Sequence, residues 1–228
     1  MRLHRGLGLL AACLLLAAPA GCADSSEDQP LSRSGLFLDT AVTITLYHTR
    51  DSALLDACFE QIDNLEQQLS RTIEGSDVWN INHAGGQPVT VSEETAALIR
   101  ASLEFAEKTN GALDISIAPA SSLWDFHAQT PVLPDAAALE EAVSHVGWET
   151  VECEGNTVRL ADPQAALDLG AVAKGYIADR LADSLREAGV TSALIDLGGN
   201  IYALGERDGR PWRIGVRDPD GGEALAAT

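Results

Sequence analysis

Positive charge is scarce in this sequence. The chain of 228 residues has 15 Lys and Arg against 34 Asp and Glu, which gives a formal net charge of −19 at pH 7. Nucleic-acid binding depends on clustered Lys and Arg that neutralise phosphates, so this balance argues against a nucleic-acid partner. A single phosphate-bearing ligand is compatible with the composition, because backbone N–H groups, one Lys or a bridging cation can hold it locally.

Several common catalytic motifs are also absent. The sequence has no GxxxxGK[ST], GxGxxG, HExxH or GxSxG pattern, which removes the usual sequence evidence for a P-loop, a dinucleotide fold, a zinc protease or a serine hydrolase. The 5 histidines and 4 cysteines show no zinc-ligand spacing. A lone histidine such as His145 is more simply explained as a structural or solvated side chain.

Apolar residues, in contrast, are plentiful. They make up 46% of the chain, which excludes a disordered composition and is enough for a sizeable core. The length fits one substantial domain or two small ones.

The N-terminus has the pattern of an export signal. Arg2 and Arg5 precede a short apolar run over 7–18, and small residues follow it. The run is too short to span a membrane comfortably. We therefore predict a signal peptide over 1–21.

Gly21-Cys22 resembles a bacterial lipoprotein cleavage site, in which the cysteine becomes the lipidated first residue. Pro19 departs from that pattern, which usually has an aliphatic residue there. We expect a lipidated Cys22 followed by a flexible polar tether, together covering 22–34, with ordinary secretion as the alternative. The expected location is the outer face of a bacterial cell membrane, either periplasmic or extracytoplasmic.

The cysteines of the mature chain leave their redox state open. Cys58 falls on an apolar helix face and Cys153 in a strand-like run. A disulfide between them is permitted in an exported protein, and two buried free thiols fit equally well.

Hydrophobic periodicity predicts an α+β fold. Period-two alternation indicates strands, whereas apolar residues at every third or fourth position indicate helices. No regular βαβ repeat is present, so a mixed sheet with packed helices is favoured over a doubly wound sheet. The predicted helices cover 53–69, 92–108, 135–146 and 171–188. The predicted strands cover 40–47, a hairpin over 148–160, a strand that ends near Leu169, and 193–197. Residues 70–86 and 112–134 are predicted to be loop-like or irregular.

The stretch DLGAVAKGYIADRL, residues 168–181, could bind an anion. A helix that starts near Gly170-Ala171 leaves its first N–H groups free, and Lys174 lies one turn along. Asp168 could meet a cation or a sugar hydroxyl at the same end. The alternative is an amphipathic helix packed on a sheet with Lys174 merely exposed, and spacing alone favours that alternative.

Three further segments carry polar groups at loops. Asp114 directly follows a helix stop, the run DLGGN over 196–200 is either a hairpin turn or a close approach to a ligand, and the polar stretch 70–82 contains Ser76 and Asn82. Each has an ordinary explanation as a turn or cap. Together they suggest a polar ligand contacted by several loops.

Five stretches resemble the ApbE family of FAD:protein FMN transferases. In chain order they are LDTAVTITLY, LSRTIEGSDVWNIN, TNGALDISIAPASSLWDF, ALDLGAVAKGYIADRL and LIDLGGNIYALG. The resemblance covers about 35–219 and implies one domain related to the T-fold over 35–228. It also implies a magnesium-dependent enzyme that moves the FMN half of FAD onto a Thr or Ser hydroxyl of a partner flavoprotein and releases AMP.

The resemblance also implies site residues and partners. Ala112, Leu113 and Asp114 would line the FAD site, Asp168 and Lys174 would contact the flavin nucleotide, Leu38 would pack near it, and Ala171 would offer its backbone carbonyl to Mg2+. The acceptor would be a flavoprotein subunit of a membrane redox complex or an extracellular flavoprotein. An FAD pyrophosphatase that yields FMN and AMP, and a non-catalytic flavin-binding lipoprotein, are the alternatives.

The sequence departs from the family pattern in places. Leu38-Asp39-Thr40 replaces Met-Gly-Thr, Asp125 replaces the glycine of Trp-Gly-Phe, and Thr72 stands where many members have an aromatic residue. Family members continue past the position of Thr228 into further motifs, so the catalytic base is expected there. The chain would then be the N-terminal portion of a longer protein, favoured here, or a degenerate member.

Overall fold

A computed structural model describes residues 29–125, 128, 130, 132–216, 218 and 225–227. The predicted signal peptide, Cys22 and the first half of the predicted tether lie outside these residues. The last part of the tether prediction is wrong, because strand β1 already begins at Leu31. Its backbone pairs with the following strand, and Ser32 and Ser34 hydrogen-bond to Thr45 and Thr43 across the pair.

Strands and helices follow one another irregularly along the described chain. The strands are β1 Leu31–Phe37, β2 Thr40–Leu46, β3 Val89–Thr90, β4 Val151–Glu154, β5 Thr157–Leu160, β6 Ser192–Leu197, β7 Asn200–Gly205, β8 Ile214–Val216 and β9 Leu225–Ala227. The helices are α1 Ala53–Leu69, α2 Asp77–His83, α3 Glu93–Lys108, α4 Ala118–Ser121, α5 Ala136–Ser144 and α6 Gly170–Glu187.

The α+β class is confirmed. The main sheet has the order β1-β2-β6-β7, a smaller one has the order β3-β5-β4, and β8 pairs with β9. These strand pairs are antiparallel, and a parallel bridge joins Ile117 to Ala166.

The main sheet turns one face toward the core. Val42, Ile44 and Leu46 of β2 are fully buried, as their alternation with threonines predicts, and Val42 and Leu46 pair with Leu197 and Ala193 of β6. Helices α1 and α6 contact each other and the strands of this sheet. Their buried side chains recur every third or fourth residue, and each fully buried Leu or Ile contributes about 1.5–3 kcal/mol to the free energy of unfolding.

Two stretches predicted to be irregular contain helices. Residues 70–86 include α2, whose first turn is capped by the Ser76 hydroxyl accepting from the Trp79 N–H at 2.9 Å. Residues 112–134 include the single turn α4. Both helices are too short to show the apolar periodicity on which the predictions depend.

The strand predicted to end near Leu169 is wrong. Residues 165–169 alternate between buried and half-buried positions, as a strand would, but they belong to no ladder. The side chain of Asn82 makes the hydrogen bonds that a neighbouring strand would make. Its Oδ1 accepts from the Leu167 N–H at 2.6 Å, and its Nδ2 donates to the Leu167 carbonyl at 2.9 Å. The Asp168 N–H donates to the Ile115 carbonyl at 2.8 Å.

Two sequence alternatives are decided by the fold. The glycine pair of DLGGN is a hairpin turn between β6 and β7, with positive φ at both Gly198 and Gly199. Cys58 and Cys153 are free thiols, and burial raises the pKa of Cys58 to about 11.

Within the described ranges, no helix has the length and apolar character needed to cross a membrane.

Candidate active site

A cleft of about 300 Å³ opens where helix α6 begins. The turn between β1 and β2 forms one wall, the end of α1 with the three residues after it forms another, and the first turn of α6 forms the floor. Its lining residues are Leu38, Asp39, Glu66, Leu69, Ser70, Arg71, Thr72, Asp168, Leu169, Gly170, Ala173 and Lys174. Three predicted site residues therefore meet here: Leu38, Asp168 and Lys174.

Asp168 is held in a fixed orientation at this helix start. Its Oδ1 accepts from the Gly170 N–H at 2.9 Å, so the side chain binds one of the N–H groups that the helix leaves free. Its Oδ2 lies 3.1 Å from Nε of Arg71. Arg71 also donates from Nη1 to the Ser122 hydroxyl at 2.9 Å, which fixes the guanidinium at the cleft wall.

Lys174 differs from Arg71 in having no partner in the described part of the chain. It is half-buried, and its ammonium group makes no hydrogen bond or ion pair with the described residues. One turn earlier, Ala171 is exposed and lies beside the lining residue Gly170. A half-buried cation near a helix N-terminus, with no internal anion to neutralise it, is suited to a phosphate-bearing ligand.

The turn between β1 and β2, which forms one wall of the cleft, has an unusual backbone conformation. Leu38 and Asp39 both have positive φ, at 54° and 55°, although neither is glycine. The Glu66 carboxylate accepts from the Leu38 N–H at 2.9 Å and ties the turn to α1. The next turn of the sheet packs against it: a Cβ on Gly198 would lie 2.3 Å from Thr40 Oγ1.

Ala112, Leu113 and Asp114 lie outside the lining of this cleft. The Asp114 carboxylate is occupied by its own surroundings: Oδ1 accepts from the Ser116 N–H at 2.8 Å and its hydroxyl at 2.6 Å, and Oδ2 accepts from the Trp148 N–H at 3.1 Å. These bonds fix the loop after α3. The flavin contact proposed for the three residues stays a prediction.

Sequence reasoning missed two residues of the cleft. Arg71 lies in the stretch LSRTIEGSDVWNIN, directly after α1, and Glu66 lies on the last turn of that helix. The signal for Arg71 was its position in a recognised motif, because a cation is rare in this chain. Glu66 is half-buried, and nothing in the sequence around it distinguishes it from the exposed carboxylates of the helices.

A larger cavity, of about 570 Å³, lies at the opposite end of the main sheet and contains none of the predicted site residues. Its lining includes three arginines and Trp212 of the segment after β7, together with Tyr47, which directly follows β2. The predicted chemistry is thus associated with the smaller cleft.

The model of the ApbE family matches residues 38–228 of this chain. The chain belongs to the ApbE family. A protein of Treponema pallidum named FAD:protein FMN transferase is 33% identical over 228 aligned residues, covering 91% of this chain and 63% of its own length. A Klebsiella pneumoniae protein of the same name is 37% identical, covering 85% of this chain and 60% of its own length.

Solved structures of the family share the fold. The flavin transferase ApbE from Vibrio cholerae superposes with a TM-score of 0.79 at 27% identity, covering 88% of this chain and 68% of that one. The ApbE protein of Thermotoga maritima gives a TM-score of 0.78 at 30% identity, with 86% and 66% covered. The chain therefore spans somewhat less than two thirds of the sequence relatives named above.

Proposed function

We propose that this ApbE-family protein transfers FMN from FAD to a Thr or Ser hydroxyl of a partner flavoprotein and releases AMP. The observation that carries the proposal is the half-buried Lys174, without a partner among the described residues, beside the Arg71–Asp168 pair at the start of α6. The names of the relatives support it, since each is an FAD:protein FMN transferase.

The reaction is a displacement at phosphorus. The acceptor hydroxyl oxygen forms a bond to the phosphorus of the FMN half, the anhydride P–O bond breaks, and AMP leaves with the bonding electrons. The hydroxyl proton passes to a base, which the family pattern puts beyond the motifs of this chain. Negative charge grows on the departing phosphate, and a positioned cation lowers the barrier by stabilising that charge.

In this proposal each cleft residue has a separate role. Lys174 binds the pyrophosphate and stabilises the charge on the leaving group. Asp168, oriented by Arg71 and the Gly170 N–H, accepts a hydrogen bond from a hydroxyl of the flavin nucleotide. Leu38 packs against the bound nucleotide from the turn between β1 and β2. Ala112, Leu113 and Asp114 are retained as FAD contacts on the family resemblance.

Magnesium is part of the proposal only through the resemblance. The described residues gather no cluster of three His, Cys, Asp or Glu side chains able to hold a metal ion. Mg2+ usually takes only one or two carboxylates together with substrate phosphates and water, and the carboxylates of Asp39, Glu66 and Asp168 line the cleft. Ala171 stays the proposed carbonyl contact, and no step above depends on the metal.

Product analysis tests the proposal against its alternatives. The full-length protein is incubated with FAD, Mg2+ and an acceptor flavoprotein, and also with the acceptor's Thr or Ser replaced by Ala. Covalent FMN on the intact acceptor, with one AMP released for each, supports the transferase. Free FMN and AMP with both acceptors would identify a pyrophosphatase, and bound but unchanged FAD would identify a binding protein.

We also propose that the protein is exported and lipid-anchored at Cys22. The export-signal pattern and Gly21-Cys22 support this. Mass spectrometry of the N-terminal peptide from the membrane fraction tests it: a diacylglyceryl-modified Cys22 is expected, and an unmodified N-terminus in the secreted fraction would overturn it.

A further inference from the structure

A cationic groove lies at the end of the main sheet opposite the cleft. The larger cavity, about 570 Å³, is lined by Arg207, Arg210 and Arg213 together with Tyr47 and Trp212. These three arginines fall within 7 consecutive residues of a chain that has only 15 Lys and Arg. We call this set of five side chains the arginine groove.

The guanidinium groups of the groove are only partly neutralised. Arg207 stacks 5.3 Å from the centroid of the Tyr47 ring, and its Nε lies 3.8 Å from Asp208, which also contacts His48. Arg210 and Arg213 are exposed, and their side chains make no ion pair or hydrogen bond with the described residues. Two unpaired cations thus face solvent on an acidic protein.

The aromatic side chains give the groove a firm wall. The rings of Tyr47 and Trp212 meet edge to face at 5.4 Å between centroids, and Trp212 Nε1 donates to the Leu204 carbonyl at 3.1 Å. Tyr and Trp are enriched where proteins meet the membrane–water interface, and basic side chains are attracted to anionic headgroups.

The N-terminal segment enters the fold at this same end. Leu31, the first residue of β1, pairs with Leu46, and the next residue, Tyr47, donates its N–H to the Ser192 carbonyl at 3.0 Å. Leu31 lies nine positions after Cys22, a reach of at most about 30 Å when fully extended. A lipid on Cys22 would therefore hold this end of the sheet near the membrane.

We propose that the arginine groove contacts the phosphate headgroups of an anionic membrane surface and orients the anchored domain. The net charge of −19 repels the rest of the chain from such a surface, so a local cationic patch determines which end faces it. The proposal rests on the lipid anchor proposed at Cys22 and is independent of the transfer reaction.

The proposal fixes where the cleft lies. The turn at Leu38-Asp39 and the start of β1 are at opposite ends of a seven-residue strand, about 20 Å apart at the usual rise per residue. With the groove on the membrane, the cleft opens away from the lipid, toward an acceptor protein.

Hydrogen exchange on vesicles tests the orientation. The lipidated full-length protein, with the Cys22 lipid verified by mass, is reconstituted in phosphatidylcholine vesicles with or without phosphatidylglycerol as the anionic lipid. We expect residues 206–213 to gain protection only on the anionic vesicles. In the Arg210→Gln/Arg213→Gln variant, the ratio of protein with its groove on the vesicle surface to protein without this contact should fall about fivefold for each arginine removed.

The matched control is Arg100→Gln/Lys108→Gln, which removes the same charge from α3. Equal loss of protection in the control would overturn the proposal in favour of a net-charge effect, and equal protection on neutral vesicles would overturn it too. Protection by inorganic pyrophosphate without vesicles would identify a soluble-anion site instead. The mass of the protein shows separately whether Cys22 carries its lipid. FMN transfer should be unchanged in the groove variant, which distinguishes a failure of the orientation proposal from a failure of the proposed transfer function.

Discussion

At one end of the main sheet Arg71 is ion-paired with Asp168 inside a cleft, whereas at the other end Arg210 and Arg213 are exposed without partners among the described residues. The cleft combines an unpaired cation, Lys174, with an oriented carboxylate and a tightly tied turn. The groove combines unpaired cations with aromatic walls and no oriented carboxylate beyond Asp208. A partly enclosed cation beside an oriented carboxylate suits a single defined ligand. An open cationic surface suits a partner whose negative charge is spread over an area, such as a layer of headgroups.

The largest expected effect tests the cleft end. Lys174→Gln removes the cation without a partner and should lower kcat/KM for FMN transfer on the order of 100-fold, as loss of a positioned charge donor typically does. FAD affinity should fall as well. Steady-state transfer assays and FAD titration measure both.

Lys108→Gln is the control for this change, because that lysine is exposed on α3 and paired with Glu104. Arg210→Gln should also leave transfer unchanged. If the groove variant lost as much transfer activity as Lys174→Gln, the functional distinction between the two ends would be wrong.

A smaller effect is expected from Arg71→Gln. The variant removes the ion pair at Asp168 Oδ2 and leaves the bonds from the Gly170 N–H and the Ser121 hydroxyl, so we expect KM for FAD to rise about tenfold with a smaller change in kcat. Arg33→Gln breaks the ion pair of Arg33 with Asp56, which lies at the start of α1 and outside the cleft lining, and should leave KM unaltered. An unchanged KM in Arg71→Gln would show that Asp168 does not need the ion pair with Arg71.

Two aspartates with positive φ allow a paired test of the two ends. Asp39 (φ 55°) lies in the cleft turn and Asp208 (φ 53°) in the groove. Replacing Asp39 by Gly should raise the free energy of unfolding by about 0.5–1 kcal/mol, since relief of the left-handed conformation exceeds the added freedom of the unfolded chain. Asp208→Gly should raise it less, because this change also removes the contacts of Asp208 with Arg207 and His48. Urea denaturation measures this.

Only Asp39→Gly should also tighten FAD binding, because it removes a carboxylate from the wall of a pyrophosphate site. Equal FAD affinity in the two glycine variants would argue against the cleft as the nucleotide site.

The smallest effect is expected at an ion pair outside both ends. A hydrogen bond with Asp162 (2.7 Å) raises the pKa of His145, while bonds from the Gln164 N–H and His145 lower the pKa of Asp162. The raised pKa means that His145 contributes its stability fully below about pH 6.5 and loses it as pH rises through the folded-state pKa. The lowered pKa of Asp162 means that its contribution is lost as pH falls through its own folded value.

The stability difference between the native protein and His145→Asn should therefore be largest between these two pKa values and shrink toward alkaline pH. Thermal denaturation across pH 3–9 measures it, and FMN transfer should not change. A difference that is constant over the whole range would contradict the ion pair as its source.

The sequence predicted the long helices well for a physical reason. In α1 and α3 the apolar residues repeat every three or four positions over four turns, and Ser92 supplies a helix cap before α3. The same reasoning failed at 165–169, because a buried alternating segment can be paired by an amide side chain as well as by a strand. Local pattern cannot distinguish these partners, since Asn82 is 85 residues away from Leu167.

The cleft was predictable only in part for the same reason. Lys174 and Asp168 lie six residues apart on one helix start, so sequence alone could associate them. Arg71 and Glu66 come from the end of α1 and reach the cleft only through tertiary packing. The hydrogen bond from the Trp148 N–H to Asp114 likewise depends on distant backbone.

The bond between Asn82 and Leu167 ties the site to the chemical ageing of one side chain. Conversion of Asn82 to Asp by deamidation would replace its Nδ2 donor with a carboxylate oxygen facing the Leu167 carbonyl, exchanging an attraction for a repulsion at 2.9 Å. The next residue along is Asp168. Deamidation of Asn82 on α2, a change of one mass unit, would thus displace the Asp168 carboxylate at the start of α6. How long the cleft keeps its geometry therefore depends on how well the fold protects the Asn82 amide from hydrolysis.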